Sequence, residues 1–257
     1  MANGFIWYEL MTADKASAEA FYAAVVGWSA ADAGAPNAGY TLFSAADRPA
    51  AGALTLPADA CLSGAAPCWI GYVMVPDVDA AAAGIAQSGG TVHKQPADIE
   101  GVGRFAVVAD PGGAVFGLLA PGPMGSPPPP LPRMAPGHCG WHELHAGDGD
   151  AAFDFYADGF GWSESATMDM GPMGTYRLWS PEPGGEAVGG MMTRHARMPK
   201  PAWLFYFVVD SVDAAADRIC AAGGQVTNGP MDVPDGSCIV QGIDPQGATF
   251  ALVSANR

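Results

Sequence analysis

The sequence has few charged side chains and very few basic ones. Asp, Glu, Lys and Arg make up 14% of the 257 residues, and 11 basic against 26 acidic side chains give a formal charge of −15. Nucleic-acid binding depends on Lys and Arg contacts to phosphate, so this charge argues against nucleic-acid partners. No apolar run reaches the roughly 18–20 residues that span a bilayer, which argues against a membrane protein. The acidity favours a cationic ligand over an anionic one.

Neither the cysteines nor the first residues predict a secreted protein. The five cysteines are odd in number and none forms a Cys-x-x-Cys motif, so neither a disulfide framework nor a zinc site is indicated. The first seven residues contain no basic side chain and continue directly into strand-like sequence. We therefore expect reduced thiols and a cytoplasmic location.

The chain repeats itself at an offset of 134 residues. The matching pairs include Trp7 with Trp141, Glu9 with Glu143, Tyr22 with Tyr156, Trp69 with Trp203 and Asp110 with Asp244. One constant offset that is kept across most of each half indicates a tandem duplication.

A proline-rich stretch separates the two copies. It includes four successive prolines, Pro127 to Pro130, and such a run favours extended geometry and acts as a semi-rigid spacer. A proline-rich recognition peptide is the alternative. We predict a first domain over residues 1–120, a linker over 121–137 and a second domain over 138–257.

The local patterns predict the same order of elements twice in each half. Asp14 is a plausible cap for a helix that ends at Gly27, and a second helical stripe runs from Val78 to Ile85. One strand-like run precedes each helix, and three strand-like runs follow it. The fold class is therefore α+β, with four βαβββ modules.

This order resembles the vicinal oxygen chelate superfamily, which contains glyoxalase I, bleomycin-resistance proteins and extradiol dioxygenases. The resemblance rests on the Phe-Tyr-(x)4-Gly-Trp exit of the first helix and on the Gly-Gly…Asp-Pro-x-Gly ending, and it covers both halves. It implies two tandem open-barrel domains that bind a ligand on the concave face and carry helices outside. It also implies that the halves form a pseudo-dimer within one chain.

The resemblance implies metal-ligand positions, but this chain does not fill them. A His is expected on the first strand and another at the start of the fifth, and a Glu on the fourth and on the last strand. The two histidine positions hold Trp7 and Trp141 on the first strand, and Trp69 and Trp203 at the start of the fifth. The two glutamate positions fall near Ala53 and Met191 on the fourth strand, and on Gly117 and Ala251 on the last. A one-residue slip would bring only His142 to this face. We therefore expect no metal and no cofactor.

The remaining candidates lie on the first strand of each half. Strand alternation places Trp7 and Glu9 on one face, and Trp141, Glu143 and His145 on the equivalent face. Glu9 and Glu143 either anchor a ligand or accept hydrogen bonds for the fold. Glu143 and His145 are close enough to transfer protons as a catalytic pair, although a lone strand His is also a common satisfied polar group.

Aromatic hydroxyls complete the candidate site. Tyr40, Tyr72, Tyr176 and Tyr206 either line the cavities or belong to the core. The sequence predicts a metal-free protein that binds a small apolar or cationic molecule on its concave faces. The alternative is an enzyme of the same superfamily: a metal-dependent lyase, isomerase or dioxygenase, or a metal-free acid–base catalyst that uses Glu143 and His145.

Overall fold

Sixteen strands and five helices make up the fold in a computed structural model that describes residues 4–62, 64–122, 131–196 and 198–257. The first half contains β1 (Phe5–Thr12), α1 (Lys15–Val26), β2 (Ser29–Asp32), β3 (Thr41–Ala45), β4 (Arg48–Thr55), α2 (Ala58–Leu62), β5 (Cys68–Met74), α3 (Val78–Gln87), β6 (Thr91–Ile99), β7 (Gly103–Ala109) and β8 (Val115–Pro121). The second half contains β9 (Cys139–Ala146), α4 (Gly149–Phe160), β10 (Ser163–Asp169), β11 (Thr175–Ser180), β12 (Gly189–Thr193), β13 (Ala202–Val208), α5 (Val212–Ala221), β14 (Gln225–Asp232), β15 (Cys238–Ile243) and β16 (Thr249–Ser254).

The predicted order of elements is confirmed. Strand, helix and three strands occur twice in each half, and the five-residue helix α2 is an addition that the sequence patterns did not indicate. The proline run of the predicted linker lies outside the described residues, whereas residues 131–137 are described.

Each half forms one eight-stranded sheet, in the order β2-β3-β4-β1-β5-β8-β7-β6 in the first half and β10-β11-β12-β9-β13-β16-β15-β14 in the second. The first strand of each module runs parallel to its last strand, as β1 does to β4 and β13 does to β16. The other neighbouring strands within a module are antiparallel, as β3 is to β4 and β15 is to β16. Helices and a mostly antiparallel sheet confirm the α+β class.

The first helix of each half begins and ends with the same chemistry. Asp14 accepts a hydrogen bond from the Ser17 amide at the start of α1, and Asp148 caps α4 in the same way. Both helices end at a glycine in the left-handed region, Gly27 with φ 86° and Gly161 with φ 73°. Among the described residues, every helix is too short or too polar to cross a membrane.

The chain separates into two compact units, each of which combines a module from one half with a module from the other. Of the described residues, unit 1 comprises those within 4–7, 71–122 and 142–203. Unit 2 comprises those within 8–70, 131–141 and 204–257.

A buried chain of three hydrogen-bonded side chains recurs in each unit. In unit 1, Trp203 Nε1 donates to Tyr156 Oη over 2.9 Å, and Tyr156 Oη donates to Asp110 Oδ2 over 3.2 Å. In unit 2 the residues at the repeat offset form the same chain, with Trp69 Nε1 to Tyr22 Oη at 2.8 Å and Tyr22 Oη to Asp244 Oδ2 at 3.1 Å. Burial raises the pKa of both aspartates and of both tyrosines. These chains fasten α1 and α4 to the strands beneath them.

Candidate ligand-binding faces

Each sheet has a face that packs against helices, the helix face, and an opposite face, the open face. On β9 the side chains of His142 and Leu144 are buried on the helix face, with Leu144 fully inaccessible. Because successive strand residues alternate, Trp141, Glu143 and His145 lie on the open face. The same alternation places Trp7 and Glu9 of β1 on the open face.

The predicted site residues fall into two equivalent groups, one in each unit. Unit 1 contains Trp7, Tyr72, Glu143, His145 and Tyr176, and unit 2 contains Glu9, Tyr40, Trp141 and Tyr206. Each group therefore has one tryptophan, one glutamate and two tyrosines, and only unit 1 adds a histidine.

Glu143 and His145 form a close pair in unit 1. His145 Nε2 and Glu143 Oε2 are 3.2 Å apart, and their side chains are only 14% and 12% exposed. On the neighbouring strand β12, Gly190 lies opposite Glu143 and Met192 lies opposite His145. A carboxylate and an imidazole at hydrogen-bond distance can accept protons from a bound molecule and donate protons to it.

Two tyrosine rings of unit 1 lie over glycines. A Cβ on Gly190 would overlap the hydroxyl end of Tyr176, and a Cβ on Gly117 would overlap the ring of Tyr72. Glycine is therefore required at both places if the rings are to lie flat against the sheet. Since Gly190 pairs with Glu143, the hydroxyl end of Tyr176 lies one strand spacing from that glutamate.

Unit 2 repeats the tyrosine–glycine–glutamate arrangement without the histidine. The hydroxyl end of Tyr40 occupies the space that a side chain on Gly52 would need, and Gly52 pairs with Glu9. Glu9 is 8% exposed. Met11 stands where unit 1 has His145. The carboxylate with its tyrosine thus belongs to both units, whereas the Glu–His pair belongs to unit 1.

A compact apolar cluster forms the rest of the open face of unit 2. Its buried members are Leu204, Tyr206, Val208, Ala251 and Val253, and Trp141, Met134 and Ile239 pack against them. Tyr206 is 2% exposed and accepts a 2.6 Å hydrogen bond from Gln241 Nε2, so its hydroxyl is satisfied within the protein. The structure therefore places Tyr206 in packed core.

The open faces do not fit a chelated divalent ion. The expected ligand positions on the first and last strands carry Trp7, Trp141, Gly117 and Ala251. Trp69 and Trp203, at the expected second histidine, lie on the helix face and donate to tyrosines. Within the described ranges, no three His, Cys, Asp or Glu side chains come together as a metal site requires.

His142 lies on the helix face, which it would leave only if the strand register slipped. Its ring stacks on Phe5 with centroids 5.0 Å apart, and its Nδ1 lies 2.7 Å from the carbonyl oxygen of Val188. Burial lowers the pKa of His142 to about 4, so the neutral ring donates from Nδ1 at physiological pH. This histidine serves packing.

Sequence reasoning missed the Trp–Tyr–Asp chains, although their residues were visible. Each of the three positions matches at the repeat offset, and a repeated polar residue between apolar neighbours indicates a buried, satisfied group. The sequence could not show that the aspartate of each chain comes from the opposite half, because that depends on how modules pair.

Comparison with known proteins relates both halves to one family. The sequence model of the Glyoxalase/Bleomycin resistance protein/Dioxygenase superfamily matches residues 4–118 and 136–252. "Putative glyoxylase CFP32" of Mycobacterium tuberculosis is 32% identical over 260 residues, which cover 96% of this chain and 93% of that protein. "Anthracycline biosynthesis protein DnrV" of Streptomyces peucetius is 33% identical over 263 residues, which cover 96% of this chain and 91% of that protein.

Solved structures support the fold. The Mn(II)-bound glyoxalase from Novosphingobium aromaticivorans has a TM-score of 0.65 at 17% identity, with 99% of this chain and 82% of that chain covered. The 2,3-dioxygenase LapB from Pseudomonas sp. KL28 has a TM-score of 0.65 at 16% identity, with 99% and 93% covered. At these identities the likeness concerns the fold alone.

Proposed function

Because the chain belongs to the glyoxalase/bleomycin resistance protein/dioxygenase superfamily, we propose that it is a metal-free small-molecule-binding protein that uses the open face of unit 1. The ligand is a flat, oxygenated aromatic molecule, with higher affinity when it carries a positive charge. Glu143 and His145 anchor its polar groups, and Tyr176 and Trp7 supply aromatic surface.

The observation that carries this proposal is the close Glu143–His145 pair. Its His145 Nε2 and Glu143 Oε2 atoms are 3.2 Å apart, and both side chains are partly buried. Placing a carboxylate there costs solvation energy unless strong polar contacts compensate. A carboxylate oxygen can accept a further hydrogen bond from a ligand hydroxyl or ammonium group beside the contacts that it makes within the protein.

The shape of the surroundings favours a flat ligand. Tyr72 and Tyr176 lie against glycines, which leaves their rings close to the plane of the sheet. Flat aromatic surfaces pair well with planar ring systems. Two of the relatives are named anthracycline biosynthesis proteins, and anthracyclines are planar, hydroxylated polycyclic compounds. The net charge of −15 adds attraction for an amino-substituted member of that class.

The test uses two probes, a neutral dihydroxyanthraquinone and its aminoalkyl derivative, which are titrated by calorimetry. We expect both to bind at one equivalent per chain and the amine to bind more tightly. Glu143→Gln removes the negative charge and should weaken binding of the amine about tenfold. Folding of each variant is checked by its melting temperature.

The internal repeat supplies matched controls. His145→Met gives unit 1 the residue found at the equivalent place in unit 2, and it should weaken both probes. The reciprocal change Met11→His and the equivalent change Glu9→Gln alter unit 2 and should leave both affinities unchanged. Equal losses from Glu9→Gln and Glu143→Gln, or no binding of either probe, would contradict the proposal.

A metal-free acid–base enzyme is the second candidate, and the same pair favours it. A glutamate that orients an imidazole at 3.2 Å is the arrangement of a general base with its positioning residue. The relatives named as glyoxylases lend it support. Turnover that survives exhaustive chelation and is lost in His145→Gln, with a pH–rate profile that shifts in Glu143→Gln, would favour the enzyme over the binder.

A further inference from the structure

The open face of unit 2 is covered by the chain itself. The segment of residues 131–136, here called the cover segment, precedes β9 and lies against the apolar cluster of this unit. Met134 packs against the cluster that contains Leu204, Tyr206 and Val208, and Ala135 is buried beside it. Arg133 places its guanidinium carbon 5.6 Å from the centre of the Trp141 ring.

The contacts of Arg133 resemble those of a bound ligand. Its guanidinium stacks on an aromatic face and lies 3.7 Å from Asp235 Oδ2. A planar cation over tryptophan, with a carboxylate at its edge, is a favourable pairing. Met134 meanwhile fills the apolar part of the same surface.

The cover segment is fastened at one end and turned back on itself. The Gly137 amide donates a backbone hydrogen bond to the carbonyl of Val208 in β13, and the Gly137 carbonyl accepts a 2.7 Å hydrogen bond from Trp28 Nε1. The Ala135 amide donates to the carbonyl of Pro132, which closes a tight turn. Gly137 has a φ of 73° and would bring a Cβ against Ala45, so glycine is required at this attachment point.

We propose that the cover segment is a tethered ligand for unit 2, and that the face beneath it is a binding site for a planar aromatic amidinium or guanidinium compound. Because the segment is tethered, it competes at an effective concentration of about millimolar or more. A free cation of modest affinity therefore binds only when the segment is weakened. This inference concerns unit 2 and does not depend on the ligand of unit 1.

The test uses p-aminobenzamidine, an aromatic amidinium compound whose fluorescence increases in apolar surroundings. The double variant Arg133→Ala/Met134→Ala should bind one equivalent at least about tenfold more tightly than the unchanged chain. Adding Trp141→Leu should abolish that gain. Every chain in this comparison also carries Glu143→Gln, which removes the carboxylate that would hold the same cation in unit 1.

Arg257→Ala is the matched control. Arg257 also belongs to unit 2 and also pairs with a carboxylate, Asp232, but within the described part of the chain it makes no cation–π contact with a tryptophan ring. If the double variant does not fold, Arg133→Gln keeps the Met134 packing and should still tighten binding. No gain in either variant, the same gain in Arg257→Ala, or a gain that survives Trp141→Leu would overturn the proposal.

Discussion

Replacing Tyr156 by Phe should destabilise the protein strongly, although it removes a single oxygen atom. That oxygen accepts a hydrogen bond from Trp203 Nε1 and donates one to Asp110 Oδ2, and both tyrosine and aspartate are buried. The variant leaves the indole N–H without an acceptor, at a cost of about 1–3 kcal/mol. Asp110 loses the hydrogen bond from Tyr156 but keeps the one from the Ala114 amide. The lost bond therefore adds about 1 kcal/mol to the cost.

The expected loss in the free energy of unfolding is therefore about 2–4 kcal/mol. For a chain of this length that corresponds to a fall in melting temperature of roughly 5–12 °C. Urea denaturation followed by tryptophan fluorescence, together with calorimetry, measures both quantities. Tyr22→Phe should give a similar loss, because its oxygen makes the same two hydrogen bonds in unit 2.

Tyr176→Phe serves as the control, since Tyr176 is only half-buried and water can replace its hydroxyl. Its loss should stay below about 1 kcal/mol. If Tyr156→Phe and Tyr22→Phe lower the free energy of unfolding no more than this control does, the buried Trp–Tyr–Asp chains do not hold the helices on the sheets.

Three further predictions concern the glycines, the helix caps and the buried carboxyls. Gly190→Ala should displace Tyr176 and lower the free energy of unfolding by about 1–3 kcal/mol, whereas Gly159→Ala, in α4 with open space around it, should raise it by about 0.5–1 kcal/mol; urea titration distinguishes the two signs. Asp148→Ala should cost about 1 kcal/mol by loss of the cap of α4, measured in the same way. Burial raises the pKa of Asp110 in the folded chain, so its protonated form stabilises the fold below the unfolded pKa, and this contribution is lost as pH rises through the folded pKa. The advantage of the unchanged chain over Asp110→Asn should therefore shrink from acidic to neutral pH, and melting curves at several pH values would contradict this if the difference grew instead.

The sequence predicted the modules because their signals are local. Helix caps such as Asp14, glycine stops such as Gly27 and the apolar spacing between them depend only on neighbouring residues. The exchange of modules between halves depends instead on which surfaces pack, and the pairing of Tyr22 with Asp244 shows that this information is spread across 222 residues. No local pattern carries it.

The open faces were partly predictable for the same reason. Alternation along β9 brings Glu143 beside His145, because the two lie on one strand. The flat packing of Tyr176 on Gly190 depends on the register between β11 and β12, and the cover segment depends on a turn before Gly137. Those features required the structure.

The repeat also provides an internal criterion for separating fold from function. The Trp–Tyr–Asp chains and the tyrosines over glycines occur in both units, so the fold alone is sufficient to explain them. The two open faces differ in His145, whose equivalent in unit 2 is Met11. Differences between equivalent sites within one chain cannot serve a requirement common to both copies. They are therefore the positions at which substitution should alter binding in one unit and leave the other unchanged.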